Sequence, residues 1–234
     1  MTGGTQNIGR GIALRLAADG ADVVVGYHSD EDAAQATLQA LREHGVEARA
    51  VRSDVATAPG VRSLFVQAED AFGAIDVLVA NAGLTPTPSP IADTPDDEID
   101  RMLALNVRGA FYQLREGARR VAEGGRIVAV GSGVSRANPP GLGLYAATKA
   151  AVGSLVETLA KEMGEKGVTV NAVLPGPTSS EPPENEADTD EARLSVFTRV
   201  GRPDDIASVV AFLARDDAGW VTGARILASG GAFL

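Results

Sequence analysis

The chain has no cysteine, which excludes disulfides and thiolate catalysis and fits a reducing cytoplasm. No apolar run approaches the roughly 18 residues that a membrane span requires. The opening Met1-Thr2-Gly3-Gly4 carries no basic region followed by an apolar stretch, so no signal peptide is expected. Positive charge is also short: 21 basic residues face 31 acidic ones, for a net charge of −10. That balance argues against a nucleic-acid or anionic-membrane surface. Lysine is scarcest of all. Only Lys149, Lys161 and Lys166 occur, so 18 of the 21 basic residues are arginine, and each lysine raises the question of why arginine did not serve.

With 234 residues, 44% of them hydrophobic, one domain can bury a sizeable core, and a second full domain is not expected. Short β-branched runs alternate with longer helical stretches. Strands are predicted at Asp22–Gly26, Glu47–Val51, Ile75–Ala80, Arg126–Val130, Val168–Val173 and Arg225–Leu227. Runs such as Val23-Val24-Val25 and Val77-Leu78-Val79 read as strands buried on both faces of a parallel sheet. Ile8, Ile12 and Leu16 share one face of a first helix that stops at Gly20. Ser29 with Asp32 reads as a capping pair for a second helix, which Gly45 ends. A third runs from about Ala58 to Phe72 and ends at Gly73. Thr94-Pro95 with Asp96 and Asp97 supplies an N-cap, a first-turn proline and dipole-matched charge for a fourth. The alternation implies a single-domain, doubly wound α/β sheet with helices on both faces. The proline-rich, acidic segment at about 177–198 breaks the rhythm. It reads either as a disordered surface loop or as a mobile flap over a ligand site, since it follows a strand's C-terminal end.

Thr2-Gly3-Gly4-Thr5-Gln6-Asn7-Ile8-Gly9 opens directly into the first helix. Such a loop lets backbone N–H groups and the helix dipole approach a pyrophosphate. Asn7 stands where a third glycine is expected, and asparagine tolerates left-handed backbone better than most residues. A central strand ahead of this loop is missing, so the natural polypeptide is expected to begin upstream of Met1. Tyr145 and Lys149, four apart at a helix start, share one face, and Ser132 follows the strand Arg126–Val130. Each alone has a bland reading: packing, a solvated face, a turn. Together, behind a phosphate loop, they point to acid/base chemistry.

At this point the sequence resembles the short-chain dehydrogenase/reductase family over almost its whole length. The motifs are Thr2–Gly9 (with Gly3, Thr5, Asn7, Ile8 and Gly9 as cofactor-loop residues), Asp54-Val55, Asn81-Ala82-Gly83 and Asn106. Ser132, Tyr145-x-x-x-Lys149 and Pro175-Gly176 follow, with Thr178 just beyond, and then Gly201-Arg202-Pro203 through Thr222-Gly223 and Gly230-Gly231. Ser229 departs from the aspartate common before the final glycine pair. The resemblance implies a nicotinamide-dependent oxidoreductase that reduces a ketone or oxidises a secondary alcohol. Tyr145 would be its acid/base, and Ser132 would hold the carbonyl oxygen. Lys149 would hydrogen-bond the nicotinamide ribose and lower the tyrosine pKa, while Asn106 would keep a water in the proton relay. Asp54-Val55 would contact adenine and Pro175-Gly176 the nicotinamide. A catalytically silent dinucleotide sensor or scaffold is the alternative.

An acid at the end of the second family strand would select NAD. Here Val25-Gly26-Tyr27-His28-Ser29 has none before Asp30. His28 and Ser29 could accept a 2′-phosphate, so NADP is favoured, with NAD possible. The nearest subgroup by resemblance is the 3-oxoacyl-carrier-protein reductase-like members, although like-charge repulsion opposes an acidic carrier. A small free ketone, a sugar or a steroid-like alcohol is equally open. No metal is expected, and the resemblance implies a homotetramer or homodimer.

Overall fold

The computed structural model describes residues 1–233. The chain runs α1 (Asn7–Ala18), β1 (Val23–Tyr27), α2 (Glu31–Arg42), β2 (Ala48–Arg52), α3 (Ala58–Phe72) and β3 (Ile75–Ala80). Then come α4 (Asp96–Met102), α5 (Ala110–Arg120), β4 (Val121–Val130), α6 (Val134–Ala137), α7 (Gly143–Glu162), β5 (Thr169–Pro175), α8 (Asp190–Leu194), α9 (Pro203–Ala214) and β6 (Arg225–Ala228). All strand pairs are parallel. Period-two alternation sorts the sheet's side chains into two cores. Ile127 and Ala129 of β4 join a cluster with Leu64 and Phe65 of α3, Leu114 of α5 and Val156 of α7. Val128 and Val130 join Ile12 and Leu16 of α1 and Val210 of α9 on the opposite face. Helices therefore cover both faces, as the doubly wound reading requires.

The sheet is in two pieces, of order β1-β2 and β3-β4-β5-β6. Met1 and Thr2 bridge them: the Gly26 N–H donates to the Met1 carbonyl (2.8 Å), and the Thr2 N–H donates to the Val79 carbonyl (3.1 Å). The phosphate loop thus leaves the sheet between its two halves, at the switch point where open α/β sheets bind ligands.

Local chemistry explains most element ends and corrects two of them. Asp30, not Ser29, caps α2, accepting from the Ala33 N–H at 2.9 Å. Thr94 does not cap α4, since its hydroxyl donates to the Pro90 carbonyl and Pro95 occupies the cap position. Thr57 caps α3, and Gly73 closes it with φ +81°, a conformation glycine adopts freely. Between α4 and α5, Leu103–Gly109 form a π-helical turn, whose backbone hydrogen bonds reach one residue further than those of the flanking α-helix.

Residues 177–198 are neither featureless nor isolated. They include a 3₁₀ turn at Glu186–Asp188 and the helix α8. Arg202 Nη1 and Nη2 grip the Glu186 carboxylate at 2.7 and 2.8 Å. The Val200 N–H adds a third bond to it, and together they hold the Glu186 carboxyl near a pKa of about 2.

Candidate active site

The phosphate loop is shaped by close backbone approaches. A Cβ on Gly9 would lie 1.9 Å from the Gly3 carbonyl oxygen, so only glycine fits there. Gly3 (φ +58°) and Asn7 (φ +42°) are left-handed, as the asparagine substitution allows. Gln6, at the cap of α1, makes no side-chain cap bond. The first-turn N–H groups and the positive dipole end are therefore open to an anion. This open end, over a cradle a Cβ would fill, suits a dinucleotide pyrophosphate. Ile8 is half-buried and Thr5 buried, with the Thr5 carbonyl accepting from the Thr37 hydroxyl. Asn7 Oδ1 accepts from the Ser180 hydroxyl at 2.8 Å, which ties the segment after Pro177 to the loop.

Thr2 anchors this loop, a role the sequence reading did not assign. Its buried hydroxyl donates to Gln113 Oε1 (2.7 Å) and accepts from the Asn81 and Ala82 N–H groups, both at 3.0 Å. Asn81 Nδ2 donates back to the carbonyls of Thr2 and Gly3. Asn81 and Ala82 therefore hold the loop itself, whatever they do toward a ligand. Gln113 was missed because, within Phe111-Tyr112-Gln113-Leu114-Arg115-Glu116, it reads as an ordinary solvated helix position; yet its side chain is 1% exposed.

On the other side of the cleft, β4 delivers Ser132 and α7 delivers Tyr145 and Lys149, one helical turn apart. The Gly131 N–H donates to the Val173 carbonyl and the Gly133 N–H to the Pro175 carbonyl, which locks the serine loop beside Pro175-Gly176. The Ser132 hydroxyl lies close enough to the Tyr145 phenol to act on it electrostatically. Burial holds the Tyr145 phenol above its ordinary pKa of 10, and the nearby Ser132 hydroxyl opposes this only in part. The expected lowering by Lys149 is not found. Lys149 Nζ donates to the Val130 carbonyl at 3.1 Å and lies 5.8 Å from the Tyr145 ring centroid. Its own burial lowers its pKa to about 8.

Asn106 sits within the π-helical turn, and its side chain is committed. Oδ1 accepts from the Leu84 N–H (2.7 Å), while Nδ2 donates to the Leu84 carbonyl (3.0 Å) and the Thr148 hydroxyl (3.3 Å). Gly83 lies between it and the lysine: a Cβ there would stand 3.1 Å from Lys149 Nζ and 3.2 Å from Asn106 Oδ1. Gly176 is pressed against Ser229 Cα, and the Thr178 hydroxyl donates to the Gly176 carbonyl. Asp54 and Val55 end β2's extension, with Asp54 Oδ1 accepting from the Ala56 N–H and Val55 buried. His28 and Ser29 are exposed on the turn after β1. The structure thus brings Ser132, Tyr145, Lys149 and Asn106 to one cleft, with the phosphate loop along its rim.

The family model described as Enoyl-(Acyl carrier protein) reductase matches residues 3–232. The chain belongs to the short-chain dehydrogenase/reductase family. As a member it is an NAD(P)-dependent oxidoreductase. Versicolorin reductase stcU of Emericella nidulans is 36% identical over 100% of this chain and 94% of its own length. A short-chain dehydrogenase from Burkholderia cenocepacia J2315, solved in complex with NADP, superposes with a TM-score of 0.92 at 37% identity, covering 100% of this chain and 96% of that one. The landomycin C-6 ketoreductase LanV, solved with bound NADP and rabelomycin, gives 0.91 at 33% identity over 99% and 94%.

Proposed function

We propose that this protein reduces the ketone of a small, largely apolar molecule with NADPH. The observation that carries the reading is that Ser132 adjoins the Tyr145 phenol with Lys149 buried one turn along α7. The nicotinamide, when bound, supplies the hydride. Ser132 holds the substrate carbonyl oxygen, and Tyr145 gives that oxygen its proton. A phenol whose pKa is held high by burial keeps this proton until the oxygen takes on negative charge. Lys149, charged below about pH 8, binds the nicotinamide ribose. Asn106 orders the relay: its side chain fixes the Leu84 backbone, and a cavity of about 10 Å³ lined by Asn106, Gln113 and Lys149 has room for about one water. NADPH is supported by the NADP held by the Burkholderia and LanV relatives and by the lack of an acid before Asp30.

The rim supports an apolar substrate over a sugar. Ile91, 81% exposed, packs against Gly143 at the start of α7, and Phe197, 68% exposed, packs beside Gly230. The Phe233 ring lies over Gly133, next to Ser132. The 3-oxoacyl-carrier-protein reductase-like subtype meets a net charge of −10, which repels an acidic carrier. Residues 177–198 act as a flap, held to the phosphate loop through Ser180 and to α9 through Arg202–Glu186. Exposed Leu103, in the π-helical turn, and Phe111, on α5, give a homodimer or homotetramer an apolar contact face, and light scattering that found only a monomer would remove this part of the reading.

The test follows nicotinamide absorbance with NADPH or NADH and a panel of cyclic ketones, open-chain sugars and carrier-bound 3-oxoacyl groups. Turnover of apolar ketones by the wild type, lost in Tyr145→Phe, supports the proposal. Equal turnover in Tyr145→Phe overturns the assigned chemistry, and a preference for the sugars or the carrier-bound groups overturns the substrate class.

A further inference from the structure

At the outer end of the cleft, β1 and β2 finish side by side, with Tyr27 opposite Arg52. Arg52 Nε donates to the His28 carbonyl at 3.1 Å. This single bond fixes the guanidinium against the turn that follows β1, and it uses the nitrogen that faces away from the fork. Among the described residues, Nη1 and Nη2 make no hydrogen bond or ion pair, and the side chain is exposed. The same strand end carries the phosphate loop, since the Gly4 N–H donates to the Gly26 carbonyl at 3.2 Å.

Asp30, the acid that follows His28 and Ser29, has both carboxylate oxygens engaged. Asp30 Oδ2 accepts from Gln6 Nε2 at 2.7 Å, and Oδ1 accepts from the Ala33 N–H at 2.9 Å. Asp54 Oδ1 turns to the Ala56 N–H at 3.0 Å. An NAD-selecting site presents a free carboxylate oxygen to the ribose 2′-hydroxyl. This strand end presents a free cationic fork instead.

We propose that Arg52 is the residue that reads the 2′-phosphate of NADPH, through a two-pronged contact from Nη1 and Nη2. His28 serves through its carbonyl, which aims the fork, and Gln6 serves by keeping Asp30 turned away. The inference rests on the NADPH reading above. Planar guanidinium matches phosphate oxygens in pairs, so lysine replaces it only in part.

The test is isothermal titration of NADPH, NADH and 2′,5′-ADP into the wild type, Arg52→Gln and Arg52→Lys. Circular dichroism of each variant checks that the β1–β2 end is intact. Arg52→Gln is expected to weaken NADPH and 2′,5′-ADP about tenfold or more and NADH less than twofold, with Arg52→Lys between. A wild type that prefers NADPH while Arg52→Gln keeps the same NADPH-to-NADH ratio overturns the role of Arg52. Equal loss of both dinucleotides in Arg52→Gln also overturns it, since Arg52 would then only brace the turn. A wild type that binds NADH more tightly overturns the cofactor reading itself, before any variant is made.

Discussion

The two walls of the cleft are built on opposite principles. The catalytic wall, on the four-stranded piece β3–β6, holds Ser132, Lys149 and Asn106 at 7, 6 and 2% exposure. The recognition wall, on the two-stranded piece β1–β2, presents His28, Ser29, Arg52 and Asp54 to solvent. Burial gives the first wall its chemistry, because desolvation sets the protonation of Tyr145 and Lys149. Exposure gives the second its readiness to bind, since a free guanidinium gains most when it meets a phosphate. Changes to the first wall should therefore alter rate and stability together, and changes to the second should alter affinity alone.

The sharpest break of that rule would come from Tyr145→Phe. Removing one hydroxyl leaves the packing of α7 in place, so kcat is expected to fall roughly 10²–10⁴-fold with little change in Tm. A marked Tm loss with only a small rate loss would mean that Tyr145 is a packing residue.

Next in size is Lys149. Its pKa of about 8 in the folded chain, against 10.5 unfolded, means that the unfolded chain binds the extra proton between those values. The group's contribution to stability is complete above pH 10.5 and is lost as pH falls through about 8, by about 3 kcal/mol at most. Lys149→Met should flatten this part of the stability profile in denaturant titrations. In the wild type, kcat/KM for NADPH should fall above about pH 8 as the ammonium is lost; a flat profile would separate Lys149 from cofactor binding.

Thr2→Val joins the two walls in one experiment. It strips two N–H groups and Gln113 Oε1 of their buried partner and is expected to cost about 3 kcal/mol in urea unfolding. NADPH affinity should fall with it, because the loop loses its anchor. The smallest effect should come from Glu186→Gln, which weakens the grip of Arg202 on the flap. The substrate KM is expected to rise about two- to threefold with kcat unchanged, and the wild type should show the same rise when acidified toward the low Glu186 pKa.

Much of the first wall was legible in the sequence, because its elements are local. Val77-Leu78-Val79 and Tyr145-x-x-x-Lys149 carry their periodicity within a few residues, and the structure places β3 at Ile75–Ala80 as expected. What escaped reading depends on residues far apart. The Thr2–Gln113 bond spans 111 positions, and no local pattern marks a glutamine that will be buried. The division of the sheet and Arg52 beside His28 share that origin: each is decided by which strand ends lie together. The π-helical turn was hidden for another reason. Leu103–Gly109 has ordinary helical composition, and the partner of Asn106 within it, Leu84, lies 22 residues upstream.

The Thr2 hub also orders events in time. Residues near the start of the chain find their partners only when Val79, Asn81 and finally Gln113 exist to receive them. During synthesis the first dozen residues must wait through more than a hundred additions, several seconds at usual elongation rates. The pairing of β1 with β2 and the α2 layer can form in that interval, but the cleft cannot. Contacts of such sequence separation are slow to close, so the phosphate loop should be among the last parts of the molecule to gain protection from hydrogen exchange on refolding.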